Sequence, residues 1–228
     1  FRKDFPTAKA VSSEREIFED DAIQMVASAA VTSERGPLGL RVMDHSKHYI
    51  SDKAPFTTLQ QLADARAKVA ATGLTWAVCY SERLQNEAAV FAGQLIEEGA
   101  VGRVLQVLGS GPHRLRAETR PDWFFEKEKY GGILCDIGSH QAEQFLYYAN
   151  ATSARVVHSQ VANYNHPEHP ELEDFGEANL VADNGATCYF RVDWFTPDGL
   201  GSWGDGRTFI FGTEGYIEMR KYLDVARS

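Results

Sequence analysis

Residues 57–80 read TTLQQLADARAKVAATGLTWAVCY, a helix and a strand with their punctuation intact. Thr57 and Thr58 are each followed three residues later by a glutamine, Gln60 and Gln61, which is the spacing of a capping box. The helix opened there runs to Thr72 and stops at Gly73, a residue type suited to the left-handed turn past a helix C-terminus. Leu74 to Tyr80 is then an apolar run of strand length. Working upstream, His48 to Ser51 reads as a strand. Before it, a helix runs from a Ser33 cap to about Ser46, with Leu38, Val42 and Met43 on one face. Ile23 to Ala30, IQMVASAA, is an apolar run of the kind a strand buried on both faces uses. Ala8 to Val11 reads as a further short strand, and Ser12 to Glu19 as a short acidic helix capped by Ser12 or Ser13. Strand and helix alternating at this rhythm predict a parallel, doubly wound sheet.

The rhythm changes downstream. Asn86 to Glu98 has the pattern of an amphipathic helix stopped by Gly99, and Arg103 to Gly109 that of a strand. Five more stretches read as alternating strands: Ala154 to Ala162, Glu177 to Ala182, Ala186 to Trp194, Arg207 to Phe211 and Tyr216 to Arg220. Asp183-Asn184-Gly185 between two of them is a strong hairpin turn. The expected fold class is therefore α/β followed by α+β, with an open, mostly antiparallel second sheet. The expected division is 1–82 and 83–228.

The totals exclude some functions. A net charge of −9 in 228 residues argues against nucleic acid or an anionic membrane as partner, since both select basic surfaces. Cys79, Cys135 and Cys188 are odd in number and lack C-x-x-C spacing, which favours a reducing, cytoplasmic compartment over a disulfide framework. No apolar run approaches the roughly 20 residues of a membrane span.

Gly131 to Gln141, GGILCDIGSHQ, carries the chemistry. On one continuous helix to about Ala149, Asp136 and His140 would share a face one turn apart, with Gly138 keeping the backbone between them open. A carboxylate beside an imidazole suits a general base; the same spacing also describes a surface Asp–His pair. The stretch resembles the Gly-Gly-x-Leu-x-Asp-x-Gly-x-His signature of the Gfo/Idh/MocA oxidoreductases. Flanking segments follow the order of that family: DKAP at Asp52 to Pro55, YSERL at Tyr80 to Leu84, LIEEGAVGRV at Leu95 to Val104, RPDWF at Arg120 to Phe124 and GTEGYIEM at Gly212 to Met219. DKAP departs from the family's Glu-Lys-Pro element, with Asp52 for the glutamate and Ala54 between lysine and proline.

The resemblance implies a partial Rossmann-like domain and an NAD- or NADP-dependent dehydrogenase or reductase acting on a sugar, cyclitol or related polyol. It implies a homodimer or homotetramer assembled through the second sheet. Lys53, Asp136 and His140 take the catalytic positions: Lys53 stabilises the alkoxide, His140 exchanges the proton and Asp136 orients His140. Ala29, Ala30, Val31, Ser33, Asp52, Lys53 and Arg83 are implied at the cofactor, and Arg120, Trp123 and Phe124 at the substrate. No G-x-G-x-x-G precedes these elements, so the chain is expected to be an excerpt of a longer polypeptide whose sheet is cut at a hydrophobic edge. A nicotinamide-dependent glycosidase and a non-catalytic, nucleotide-sensing regulator are the alternatives on this fold. The segment NHPEHPELED, with His166, His169, Glu168, Glu171 and Glu173, is expected to be a polar loop without a metal, because Pro167 and Pro170 interrupt ligand spacing. His113 with Arg114 and Arg116 suits either an anionic substrate or a solvated basic loop, and the loop is the expectation.

Overall fold

A computed structural model describes residues 3–223. Its first part is a three-stranded parallel sheet in the order β1 (Met25–Ser28), β2 (His48–Asp52), β3 (Trp76–Cys79). The strands are linked by α2 (Thr32–Asp44) and α3 (Leu59–Thr72), and a single turn, α1 (Arg15–Phe18), precedes them. The capping box at α3 forms reciprocally. Thr58 Oγ1 accepts from the Gln61 amide at 3.2 Å, and Gln61 Oε1 accepts from the Thr57 amide at 2.9 Å. Gly73 closes the helix in the left-handed conformation.

Three local expectations fail here. Residues 8–11 form no strand. Val31, not Ser33, occupies the N-cap of α2, and no side chain caps it. Strand β1 is not buried on both faces: it pairs only with β2, and Met25 is 53% exposed. Its apolar composition matches a central strand, whereas its position is an edge.

The second part is a six-stranded sheet in the order β5 (Ala154–Ala162), β6 (Phe175–Ala182), β7 (Thr187–Asp193), β4 (Val104–Pro112), β8 (Arg207–Gly212), β9 (Tyr216–Arg220). Only β4 and β7 run parallel. The β6–β7 hairpin turns at Asp183–Gly185 as expected. One face is covered by α5 (Glu87–Glu97), α7 (Ile133–Asp136) and α8 (Gly138–Tyr148). Ile133, Ile137, Phe145 and Tyr148 lie there at 0% exposure in the main core. Strand β5 does not alternate. It is an edge strand exposed along eight of its nine residues, and its register slips between Val156 and His158. The fold class read from the sequence is the one observed: a parallel α/β segment, then an α+β segment with an open, mostly antiparallel sheet.

Candidate active site

Strand β2 delivers Asp52 and then Lys53 at its carboxyl end. The turn that follows is held by Arg35, a buried arginine on the first turns of α2. Its Nε donates to Ala30 O at 2.8 Å, and its Nη1 donates to Lys53 O and to Ala54 O, the latter at 3.1 Å. Its Nη2 lies 3.6 Å from Asp52 Oδ2. The Lys53–Ala54 peptide bond is cis, whereas the bond before Pro55 is trans. From this turn the Lys53 ammonium reaches α7 and donates to Asp136 Oδ1 at 2.5 Å and to Asp136 O at 3.1 Å.

The Gly131–Gly132 pair explains how α7 begins. Both glycines have φ of +88°, and a Cβ on Gly132 would stand 2.5 Å from Glu173 Oε2. That carboxylate accepts from the Ile133 amide at 2.9 Å, satisfying a donor at the helix start. The Glu173 amide in turn donates to Tyr130 Oη at 2.8 Å.

The continuous helix expected over Asp136 and His140 is interrupted. A new helical segment starts at Gly138, and the His140 amide donates to Ile137 O at 3.1 Å instead of to Asp136 O. The break leaves the Asp136 carbonyl free for Lys53 and for Ser139 Oγ. As a result Asp136 does not orient His140; its carboxylate is engaged by Lys53. Burial would raise the Asp136 carboxyl, but the charge and hydrogen bond of Lys53 outweigh it and hold it below the usual range. His140 is 3% exposed, its Nδ1 is buried without a partner, and its ring meets Tyr80 edge-on at 5.9 Å. Burial, only partly offset by Glu82, pushes its pKa down to about 4, so the ring is neutral at pH 7.

Lys53, Asp136 and His140 line one cleft of about 360 Å³. Asp52, Arg120, Trp123 and Phe124 line it too, and so do Thr32 and Arg35. Ala29, Ala30, Val31 and Ser33 lie next to Thr32 but not in its lining. Ala30 O holds Arg35, and Ser33 O accepts from Gln61 Nε2 at 3.0 Å. Arg83 is outside the cleft: it pairs with Glu143 at 2.5 Å and stacks over Tyr147 at 4.2 Å. These contacts tie α4 (Ser81–Leu84) to α8.

Several cleft residues escaped the sequence reading. Glu82, from the same YSERL segment as Arg83, is 5% exposed. It accepts from Lys221 Nζ at 2.8 Å and lies 3.4 Å from His113 Nε2. Burial would raise its carboxyl, but Lys221, His140 and His113 hold it at about 2. His113 is not in a solvated loop. It is 9% exposed, packs edge-on to Trp194 and Trp203, and is pushed toward its neutral form by burial. The signal was parity: in β4, Val107, Gly109 and Gly111 face inward, and His113 continues that series. Arg35 had a signal as well, since it shares a helical face with Leu38 and Val42. The 163–174 loop is occupied with its own structure. His166 Nδ1 meets Asp174 Oδ2 at 3.0 Å, and His169 stacks on Phe125 at 3.7 Å. Among the described residues no three His, Cys, Asp or Glu side chains gather as a metal site, and no helix is long and apolar enough to cross a membrane.

An α/β segment joined to an open α+β sheet, with a lysine from one and a histidine from the other in one cleft, defines a class. Residues 90–218 match the model of the GFO/IDH/MocA C-terminal domain, and the chain belongs to that family. A crystal structure of a proposed oxidoreductase from Erwinia carotovora atroseptica SCRI1043 is 54% identical over all of this chain and 68% of that one, with a TM-score of 0.97. Two curated relatives are more distant. Oxidoreductase YdgJ of Escherichia coli K12, itself uncharacterized, is 28% identical over 64% of this chain and 41% of its own length. The NAD(+)-dependent scyllo-inositol 2-dehydrogenase of Bacillus subtilis 168 is 26% identical over 89% and 56%. The chain thus spans about half the length of the curated relatives it matches.

Proposed function

We propose that this chain belongs to an NAD- or NADP-dependent oxidoreductase that moves a hydride between a nicotinamide and a hydroxyl or carbonyl carbon of a sugar, cyclitol or related polyol. In this reading residues 1–82 are the later part of a dinucleotide-binding domain and residues 83–228 form the substrate and assembly domain. The observation that carries it is the shared cleft: Lys53 at the end of a parallel strand and His140 on the neighbouring helix border the same space. The scyllo-inositol dehydrogenase relative, with its named cofactor NAD(+), agrees with it.

The lining suits the nicotinamide end of a dinucleotide. Thr32, Asp52 and Lys53 border the cleft from the carboxyl ends of β1 and β2, the position where open parallel sheets bind such ligands, and they would hold the cofactor. Once bound, a nicotinamide supplies the hydride acceptor or donor. The chain's own residues manage the proton and the charge. Lys53 stabilises negative charge growing on the substrate oxygen, and Asp136 keeps the ammonium aimed by gripping it through both carboxylate and carbonyl. His140, neutral at pH 7, takes the hydroxyl proton in oxidation and returns it in reduction.

The test is to incubate the full-length protein with NAD(+) or NADP(+) and a panel of sugars and cyclitols while following reduced nicotinamide by absorbance. Reduction of one cofactor with at least one polyol is the expected result. No dinucleotide binding and no turnover across the panel would overturn the proposal.

A further inference from the structure

One cation lining the cleft has no carboxylate partner among the described residues. The cleft's carboxylates are Asp52, Glu82 and Asp136, and each already has a cation: Arg35, Lys221 and Lys53 respectively. Arg120 also lines the cleft, yet it pairs with no carboxylate among the described residues. Its Nε is tied to Leu115 O at 2.9 Å, and its Nη2 is buried without a partner. Its guanidinium sits over three aromatic rings, 4.5 Å from Phe124, 5.2 Å from Trp194 and 5.5 Å from Trp203. Aromatic faces return part of the hydration energy a half-buried cation loses and fix its plane, but they accept no in-plane hydrogen bond; Asp136 acts on it only through its charge. Burial accordingly disfavours the charged form.

Resting on the oxidoreductase reading, we infer that Arg120 is a carboxylate receptor and that the preferred substrate is an acidic polyol, a uronic or aldonic acid, rather than a neutral sugar. A guanidinium held flat presents its donors in a fork that matches the two oxygens of a carboxylate. Arg120 comes from the loop between β4 and α6 (Lys127–Tyr130), not from the strand ends that fit the dinucleotide, so the anion it meets belongs to the substrate side. Trp123 from the same loop also lines the cleft and offers an apolar face to a sugar ring.

The experiment compares matched pairs, glucuronate with glucose and gluconate with glucitol, in the full-length protein with its dinucleotide. Both kcat/KM and calorimetric binding are measured. Each acid should exceed its neutral partner by about 10- to 100-fold, the scale of a charge-assisted hydrogen-bond pair. In Arg120→Met the acid-to-neutral ratio should fall at least about 10-fold, and Arg120→Lys should restore part of it. Equal or better use of the neutral sugars by the unaltered protein would overturn the inference while leaving the oxidoreductase reading intact. So would an unchanged ratio in Arg120→Met, or stronger binding of glucose 6-phosphate than of glucuronate. Because the comparison in the unaltered protein needs no substitution, a variant that fails to fold does not rescue the idea. Calorimetry keeps the test valid without turnover, and turnover failing for every substrate counts against the oxidoreductase reading alone.

Discussion

Two lysine–carboxylate pairs flank His140, and they are built for different purposes. Lys53–Asp136 joins the parallel sheet to α7 across 83 residues of sequence, and Lys221–Glu82 joins the end of the second sheet to α4 across 139. Their bond lengths are similar, 2.5 and 2.8 Å. Their exposure is not: the side chains are 20% and 17% accessible in the first pair and 0% and 5% in the second. Both carboxylates border the cleft, but the accessible Lys53 can exchange its partner for a ligand, whereas the fully buried Lys221 can only hold the structure together. Proximity to the same imidazole does not make them equivalent.

The largest expected effect follows from the sealed pair. Lys221→Met leaves the Glu82 carboxylate buried beside a neutral His113, and removing one partner of a buried ion pair typically costs about 3–5 kcal/mol. Urea denaturation should show that loss as a lower midpoint at unchanged slope. The open pair should respond in the opposite sense. Lys53→Met should cost roughly 10³-fold in kcat/KM, the scale of losing an electrostatic stabiliser of the transition state, with a smaller loss of stability than Lys221→Met, because this pair keeps contact with water. If both substitutions destabilise equally, the contrast fails and Lys53 is a structural residue. His140→Ala sharpens the comparison from between the pairs: turnover should fall at least about 10²-fold while dinucleotide affinity stays mostly intact. Unchanged turnover retires His140 as the proton-transfer group.

How far the sequence revealed this depended on the range of the interactions. Helix α3 was legible with both ends because its signals, Thr58, Gln61 and Gly73, act within one turn of each terminus. The Asp183–Gly185 hairpin and the bounds of β5 and β9 were legible for the same reason. The pairing of Lys53 with Asp136 was not, because helical spacing assigned Asp136 to His140. The actual partner arrives from a strand 83 residues earlier and exploits a helix break that no proline or cap announces. Glu82 was hidden in plain view beside Arg83. Whether a charge in a short segment faces solvent or a lysine from the far end of the chain is decided by tertiary packing. Trp194 and Trp203, which frame Arg120 and His113, come from a strand end and a loop with no spacing in common.

The smallest predicted effect concerns acid. His140 has a folded pKa of about 4 against an ordinary value of 6.5, so below that ordinary value the unfolded chain binds a proton that the folded chain refuses. Stability should therefore fall as pH drops from about 6.5 towards 4, by about 1 kcal/mol between pH 7 and pH 5.5 for this group alone. Burial sets the sign, and the charges that face the ring modify it. Glu82 favours protonation, while Lys53, Lys221 and His113 oppose it and reinforce the effect of burial. His113, also pushed down by burial, adds to the same slope, whereas Glu82, held at about 2, contributes its loss only below its ordinary 4.5. Denaturation midpoints of the unaltered protein and of His140→Gln at pH 7 and pH 5.5 isolate the term. The variant should lose less stability on acidification by about 1 kcal/mol. Parallel loss in both proteins would mean that His140 keeps an ordinary pKa.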